Sequence, residues 1–320
     1  MGLSATGLLV GEQITVAEPE AKTTTSTLST TAIGKRSDKE PFGYCLNTST
    51  IRGQKLSLVQ EIEIAAKAGY HAIEPWLSEI ETHDKNGGTT GDLKKLLADS
   101  GISVESVIAF PEWVVDDDAK RAKALEQFKR DSDLIQQIGG KRIACPPKGA
   151  TDVAGMSLQK IAERYRALLE IGDKTGVVPE LEVWGFSKTL GRLSEAAAVV
   201  VECAHPQACI LPDVFHLYKG GSDLNGIRML SGDVIHVIHL NDYPSQPARD
   251  KIGDAERIYP GDGVAPLKNL FRHFKAIGFT GFLSVELFNR DYWNQDALTV
   301  AKTAIEKTRI AVLSAWEDSK

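Results

Sequence analysis

The sequence predicts an α/β protein: a closed (β/α)8 barrel of one domain preceded by a disordered leader. Three observations predict it. From Phe42 onward short apolar runs alternate with longer amphipathic ones, a helix–glycine–strand junction recurs, and four late apolar runs end in a carboxylate or histidine. Alternating strands and helices imply a parallel sheet, and eight repeats close it into a barrel. Dividing 320 residues by about 150 per domain suggests two domains, but a barrel of about 250 residues is one.

Residues 1–41 contain no aromatic residue, and Thr23–Thr31 is all Ser or Thr except Leu28. Such a stretch buries too little apolar surface to offset the entropy of ordering, so it reads as a disordered leader. Gly7-Leu8-Leu9-Val10 followed by polar residues looks like the tail of an export signal lacking its basic start. The expected location is therefore cytoplasmic, or periplasmic if that reading holds. Gly2-Leu3-Ser4-Ala5-Thr6 also fits an acylation pattern, but the match is too short to carry weight.

The elements of residues 42–320 follow in order. Tyr44–Asn47 is the first strand. Ser57-Leu58-Val59-Gln60 fits a capping box, Leu58, Ile62, Ala65 and Ala66 repeat at helical spacing, and Gly69 stands where a left-handed C-terminal residue belongs. Ala72–Trp76 is the second strand. The same junction at Gly101, Gly139 and Gly176 introduces Ser103–Phe110, Arg142–Pro146 and Val177–Trp184. Cys209–Val214 and Val234–Leu240 follow, Gly278 precedes Phe282–Phe288, and Ala297–Trp316 is the closing helix. A doubly wound sheet is the alternative, but no strand leads into G-x-G-x-x-G or a phosphate loop.

Composition narrows the function classes. A net charge of −6 disfavours nucleic acid, which needs a phosphate-neutralising face. No apolar run approaches the roughly 18 residues of a membrane span. Cys45, Cys145, Cys203 and Cys209 lack C-x-x-C spacing, which argues against a zinc knuckle or redox pair.

In such a barrel the active site lies at the C-terminal ends of the strands. Leu181-Glu182-Val183, Leu211-Pro212-Asp213, Ile238-His239-Leu240 and Val285-Glu286-Leu287 all end in ionisable residues. Strand alternation turns Ser284 and Glu286 inward, and likewise Glu182 between Leu181 and Val183. A lone strand-end Glu is ordinarily a surface or capping residue. Three inward carboxylates are different, because each costs several kcal/mol unless paired or metal-bound. Glu182, Asp213, His239 and Glu286 therefore read as ligands of one divalent ion of the Mn, Co, Zn or Mg type. His236, three residues before His239, falls on the opposite face and reads as helix packing. Glu180 is a second inward carboxylate beneath Glu182 and calls for a base from a neighbouring strand. Trp76, Trp113, Trp184 and Phe110 offer apolar walls or plain packing. Lys148 is an acid–base candidate or a solvated loop lysine.

Leu211-Pro212-Asp213-Val214-Phe215-His216, His239-Leu240-Asn241-Asp242, Tyr259-Pro260-Gly261-Asp262-Gly263 and Ser284-Val285-Glu286-Leu287-Phe288 together resemble the xylose isomerase-like TIM barrel superfamily. The nearest look is to its sugar phosphate isomerase/epimerase branch, which includes inosose isomerases. The resemblance implies that Glu182, Asp213, His239 and Glu286 hold the metal. It also implies His216 near the metal and substrate oxygens, Arg257 on a substrate oxygen, and Glu74 at the pocket wall. Asp242 and Trp76 join Arg257 and Glu74 as expected substrate-binding residues. Barrels of this branch commonly associate through helix faces, which leaves the oligomeric state open between a monomer and a homo-oligomer.

The expected chemistry is a sugar or keto-inositol isomerase or epimerase, with Glu182, Glu286 and His216 catalytic. A proton next to a metal-bound carbonyl is abstracted through an enediolate. Two alternatives stay open: a metal-dependent lyase acting on 3-keto sugars or glycosides by β-elimination, and a non-catalytic sugar-binding barrel. An endonuclease site is disfavoured, because the early strand ends offer Asn47, Glu74 and Phe110 in place of histidines.

Overall fold

The computed structural model describes residues 40–317, so the expectations for the leader before Glu40 lie outside the described residues. The strands are β1 Gly43–Asn47, β2 Ala72–Glu74, β3 Ser103–Val104, β4 Arg142–Cys145, β5 Val178–Glu182, β6 Ile210–Leu211, β7 Val237–Leu240 and β8 Phe282–Val285. The main helices are α1 Leu58–Ala68, α2 Leu77–Lys85, α3 Thr90–Ser100, α4 Asp118–Gln137, α5 Leu158–Thr175, α6 Leu193–Cys203, α7 Val214–Lys219, α8 Leu267–Ile277, α9 Arg290–Trp293 and α10 Ala297–Glu317. Among the described residues no helix is long and apolar enough to cross a membrane.

All strand pairs are parallel, in two runs ordered β3-β2-β1-β8-β7 and β4-β5-β6. Two seams join them. Val107 N donates to Arg142 O at 3.1 Å and Ala144 N to Val107 O at 2.9 Å, linking the chain after β3 to β4. Bridges of Ile210 with Ile235 and Asp213 with His239 link β6 to β7. Several strands are shorter than expected. The ladder of β6 stops at Leu211 because Pro212 has no N–H to donate. Beyond β3 the chain rejoins the sheet at Val107, which pairs with β4, and at the bridge of Ile108 with Trp76.

The caps form as the sequence predicts. Ser57 and Gln60 close a reciprocal capping box on α1, and Gly69 takes φ of 89° at its end. Helix α8 buries Leu267, Leu270, Phe271 and Phe274. Phe42 packs against Phe271, Phe274 and Phe279 with ring centroids 5.5–6.1 Å apart; each buried ring contributes roughly 1.5–3 kcal/mol. A second apolar cluster, Ile108, Ala144, Leu211 and Val237 with Trp76 and Phe282, is drawn from several strands or the chain just beyond them and fills the barrel interior. Polar side chains are thus confined to chosen positions, and the strand ends are where they gather.

One buried carboxyl lies outside that gathering. Glu61 faces inward from the first turn of α1, 2 % exposed, beside a cleft of about 420 Å3 shared with Arg52, Glu79 and His83. Its Oε2 has no hydrogen-bond partner. Burial, then the neighbouring Glu79, push its carboxyl up to about 9, against the pull of Arg52. A folded pKa raised above the unfolded one means that stability is fully present below the unfolded value and is lost as pH rises towards about 9. Glu61→Gln should therefore stabilise the fold increasingly from pH 5 to pH 9, each 1 kcal/mol raising Tm by roughly 2–4 °C. Thermal melts of the two proteins check this; parallel pH profiles would show that Glu61 titrates normally.

Candidate active site and metal centre

The barrel brings Glu182, Asp213, His239 and Glu286 to one point. His239 stands inward on β7, fully buried. Its Nδ1 lies 3.5 Å from Glu182 Oε1, 3.6 Å from Asp213 Oδ2 and 3.3 Å from Glu286 Oε2. On the far side of the ring Nε2 meets Glu74 Oε1 at 3.2 Å. Glu74 is in turn held by Asn47 Nδ2 at 3.0 Å and Ser284 Oγ at 2.5 Å, both donating to Oε2. A carboxylate on Nε2 keeps a proton there and leaves Nδ1 to face the three acids. That Nδ1 has no hydrogen-bond partner of its own.

The donor set fits a divalent ion. One ligand atom each from Glu182, Asp213 and His239 lie within 4.8 Å of one another. Burial opposes charge on His239, but Glu286 and Glu74 outweigh it and draw its pKa well above the ordinary value. The site asks for positive charge at that spot. Burial, against His239 and Arg257, pushes Glu286 up to about 8. For Asp213 burial is overcome, chiefly by Arg257 and His216, and its carboxyl is held well below the usual range.

Local structure aims each group. Asp213 caps α7: Oδ1 accepts from His216 N at 3.0 Å and from Asn241 Nδ2 at 3.2 Å, leaving Oδ2 to face the centre. Arg257, almost wholly buried, donates from Nη1 to Asp213 Oδ2 at 2.7 Å and Glu286 Oε2 at 2.8 Å, and from Nη2 to Asp254 Oδ1 at 2.6 Å. It also lies 3.3 Å from His216 Nε2. A guanidinium only donates, so Nε2 accepts and the His216 proton sits on Nδ1. Burial, then Arg257, lower the His216 pKa despite Asp213, keeping the ring neutral.

These residues form the floor of a cavity of about 250 Å3 lined by Glu182, His216, Asp254, Arg257 and Glu286, with Trp76, Phe110, Trp184, Phe186 and Phe288 in its walls. Trp76 is fixed by Nε1 donating to Ser49 Oγ at 2.8 Å, with the Arg52 guanidinium 3.8 Å from its ring.

Several expectations meet a different placement. Glu74 is not at the cavity wall; its carboxylate lies behind His239, fully buried. Asp242 is turned away, because its two oxygens accept from the amides of Tyr243, Gly261, Gly263 and Ala265 and so hold the P-G-x-G turn. Trp113 is wholly buried against Tyr165, its Nε1 on Pro146 O. Lys148 is exposed on the loop after β4, outside the cavity lining. His236 lies at the opposite end of β7, beside Glu105, Arg142 and Asp233. Glu180 does meet a base from the neighbouring strand: Arg142 Nε is 3.9 Å from Oε1. Burial pushes its carboxyl up to about 8 against that arginine's pull.

Asn47, Asn241 and Asp254 belong to the site and were not singled out by sequence. For Asn47 and Asn241 the available signal was their position at or just beyond the ends of β1 and β7. Asp254 opens a single 3₁₀ turn between β7 and α8, three residues before the arginine it binds, and carries no such mark.

A family model of xylose isomerase-like TIM barrels matches residues 62–310. The inosose isomerase of Bacillus velezensis is 26 % identical over 276 residues, covering 84 % of this chain and 96 % of that protein. The 3-dehydroshikimate dehydratase of Pseudomonas putida is 24 % identical over 235 residues, 73 % of this chain but only 36 % of that longer protein. Among solved structures, the IolI protein with a bound zinc atom superposes with a TM-score of 0.78 at 22 % identity, covering 86 % of this chain and 99 % of that one. With the family model spanning most of the barrel, the chain belongs to the xylose isomerase-like TIM barrel family.

Proposed function

We propose that this enzyme is a divalent-metal-dependent isomerase or epimerase of a keto sugar or keto-inositol, working by proton transfer at a carbon beside the carbonyl. The observation that carries it is the unpartnered Nδ1 of His239 facing Glu182, Asp213 and Glu286 while Glu74 holds Nε2. The relationship to an inosose isomerase supports the same class.

Glu182, Asp213, His239 and Glu286 would hold one ion of the Mn, Co, Zn or Mg type. When bound it supplies the positive charge that stabilises an oxyanion developing at the substrate. Glu182 and Glu286 enter the cavity from β5 and β8, so they flank a ring lying on its floor. One takes the proton from the carbon next to the carbonyl and the other delivers it. Delivery to the opposite face of the same carbon gives epimerisation; delivery to the adjacent carbon gives isomerisation. Arg257 holds its guanidinium at the floor and orients a substrate oxygen, with neutral His216 beside it, its Nε2 accepting from that guanidinium. The aromatic walls keep water from the reacting carbon.

The dehydratase relationship favours one second reading. There the same base removes the proton, and the group on the next carbon leaves in place of proton return. Both readings begin with loss of the proton beside a carbonyl.

Two outcomes follow. In deuterated buffer with Mn2+, a screen of keto sugars and inososes should show one substrate exchanging that proton by NMR. Glu286→Gln should slow the exchange by about 10²–10⁴-fold with an unchanged circular dichroism spectrum; full exchange in the variant removes Glu286 from the chemistry. Glu74→Gln should weaken Mn2+ binding by about 10–100-fold, because it frees the His239 ring to turn and change tautomer. Equilibrium dialysis measures this, and unaltered affinity would show that Glu74 does not position the ligand.

A further inference from the structure

The cavity walls carry more apolar surface than one small polar ring requires. Phe186 is 52 % exposed and Phe110 37 % exposed, both at the open end above the polar floor. They belong to a continuous file of rings. Trp76 lies 5.1 Å from Phe110, Phe110 lies 5.9 Å from Trp184, and Trp184 stacks on Phe186 at 5.3 Å with 29° between planes. The file ends on His216, 5.7 Å from Phe186, and so runs from solvent to the candidate reaction centre.

The file is rigidly presented. Gly185, between Trp184 and Phe186, lies so close to α7 that a Cβ there would sit 2.1 Å from His216 O. Trp184 N donates to Leu190 O at 3.2 Å and Ser187 N to Trp184 O at 2.8 Å, closing the loop on itself. Holding exposed aromatic faces in place before a ligand arrives is the arrangement that lowers the entropic cost of stacking one.

Size and charge point the same way. A cavity of about 250 Å3 falls just below the roughly 300–1,000 Å3 usual for small-molecule sites, so anything beyond one ring must rise onto the rim. Arg257 is the one Lys or Arg among the described residues that line the cavity, and its guanidinium already serves Asp213, Glu286 and Asp254. Among the described residues that line the cavity a phosphate would meet no second cation, and Arg52, outside that lining, is stacked on the ring of Trp76.

We propose that the open end is a second-ring subsite: the substrate is an uncharged glycoside, its reacting ring on the polar floor and its second ring against Phe110, Trp184 and Phe186. This rests on the sugar-enzyme reading above and names its substrate class. The second ring offers a flat apolar face, which either a sugar or an aryl aglycone supplies.

Binding is tested without turnover, by tryptophan fluorescence titration of the full chain with methyl β-D-glucopyranoside, phenyl β-D-glucopyranoside, cellobiose and glucose 6-phosphate. One or both of the two-ring probes should bind about tenfold tighter than the methyl glucoside, the gain expected of one stacked ring. Phe186→Ala should remove that advantage, weakening the two-ring probes about tenfold more than the methyl glucoside, while Phe186→Tyr should keep it. Tighter phenyl glucoside alone identifies an aryl aglycone, and tighter cellobiose alone a second sugar. Equal or undetectable binding of the three neutral probes overturns the subsite, as does an advantage that survives both Phe110→Ala and Phe186→Ala. Tightest binding of glucose 6-phosphate overturns the uncharged substrate. Because no chemistry is measured, a stacking result stands apart from success or failure of proton exchange.

Discussion

Mutual repulsion among carboxylates, drawn together around one imidazole nitrogen, is the constraint on which the rest of the site depends. Glu74, Glu182, Asp213, Asp254 and Glu286 all lie within two contacts of His239 or Arg257. One guanidinium and one imidazole cannot balance five carboxyls in a medium that screens charge poorly. A divalent ion held at Nδ1 would restore the balance, and Glu74 would leave that nitrogen available by occupying the other. The barrel supplies the geometry: the donors come from consecutive strands β5 to β8, and their spacing is set by backbone pairing.

The apolar and polar parts of the barrel interior have separate duties. Ile108, Ala144, Leu211 and Val237 fill its middle. Below the metal candidates, the Glu180 carboxyl lies 3.9 Å from Arg142 Nε. With its carboxyl pushed up to about 8, Glu180 keeps its proton at neutral pH and adds no further negative charge beneath the ligands. The four cysteines are free and buried, and burial raises the thiols of Cys45, Cys145 and Cys209 well above their ordinary value. They are packing residues, not nucleophiles.

Much of this was legible in the sequence, for identifiable physical reasons. Glycine at helix ends and period-two alternation located the eight strands, because both follow from backbone sterics that tertiary context seldom overrides. The same alternation turned Glu182, Ser284 and Glu286 inward, where they are found. What the pattern could not show was distance along the barrel axis. Glu74 ends β2 and Trp76 lies two residues beyond it, and that step separates a group behind the imidazole from one at the cavity wall. Asp242 looked like a site residue by adjacency to His239, but one step past Asn241 the chain turns, and its carboxylate meets four backbone amides. Asp254 reaches the site from a single 3₁₀ turn between β7 and α8, where no periodicity constrains a side chain. The aromatic rim was visible only as scattered Trp and Phe until folding aligned the rings.

The most direct test of the metal centre is electron spin echo spectroscopy of Mn2+ added to the purified full chain, with 15N-labelled histidine. One bound Mn2+ per chain should show coupling to a single imidazole nitrogen, and His239→Gln should lose it. Absence of any bound Mn2+, or a spectrum of hydrated ion without nitrogen coupling, would contradict a centre built on His239.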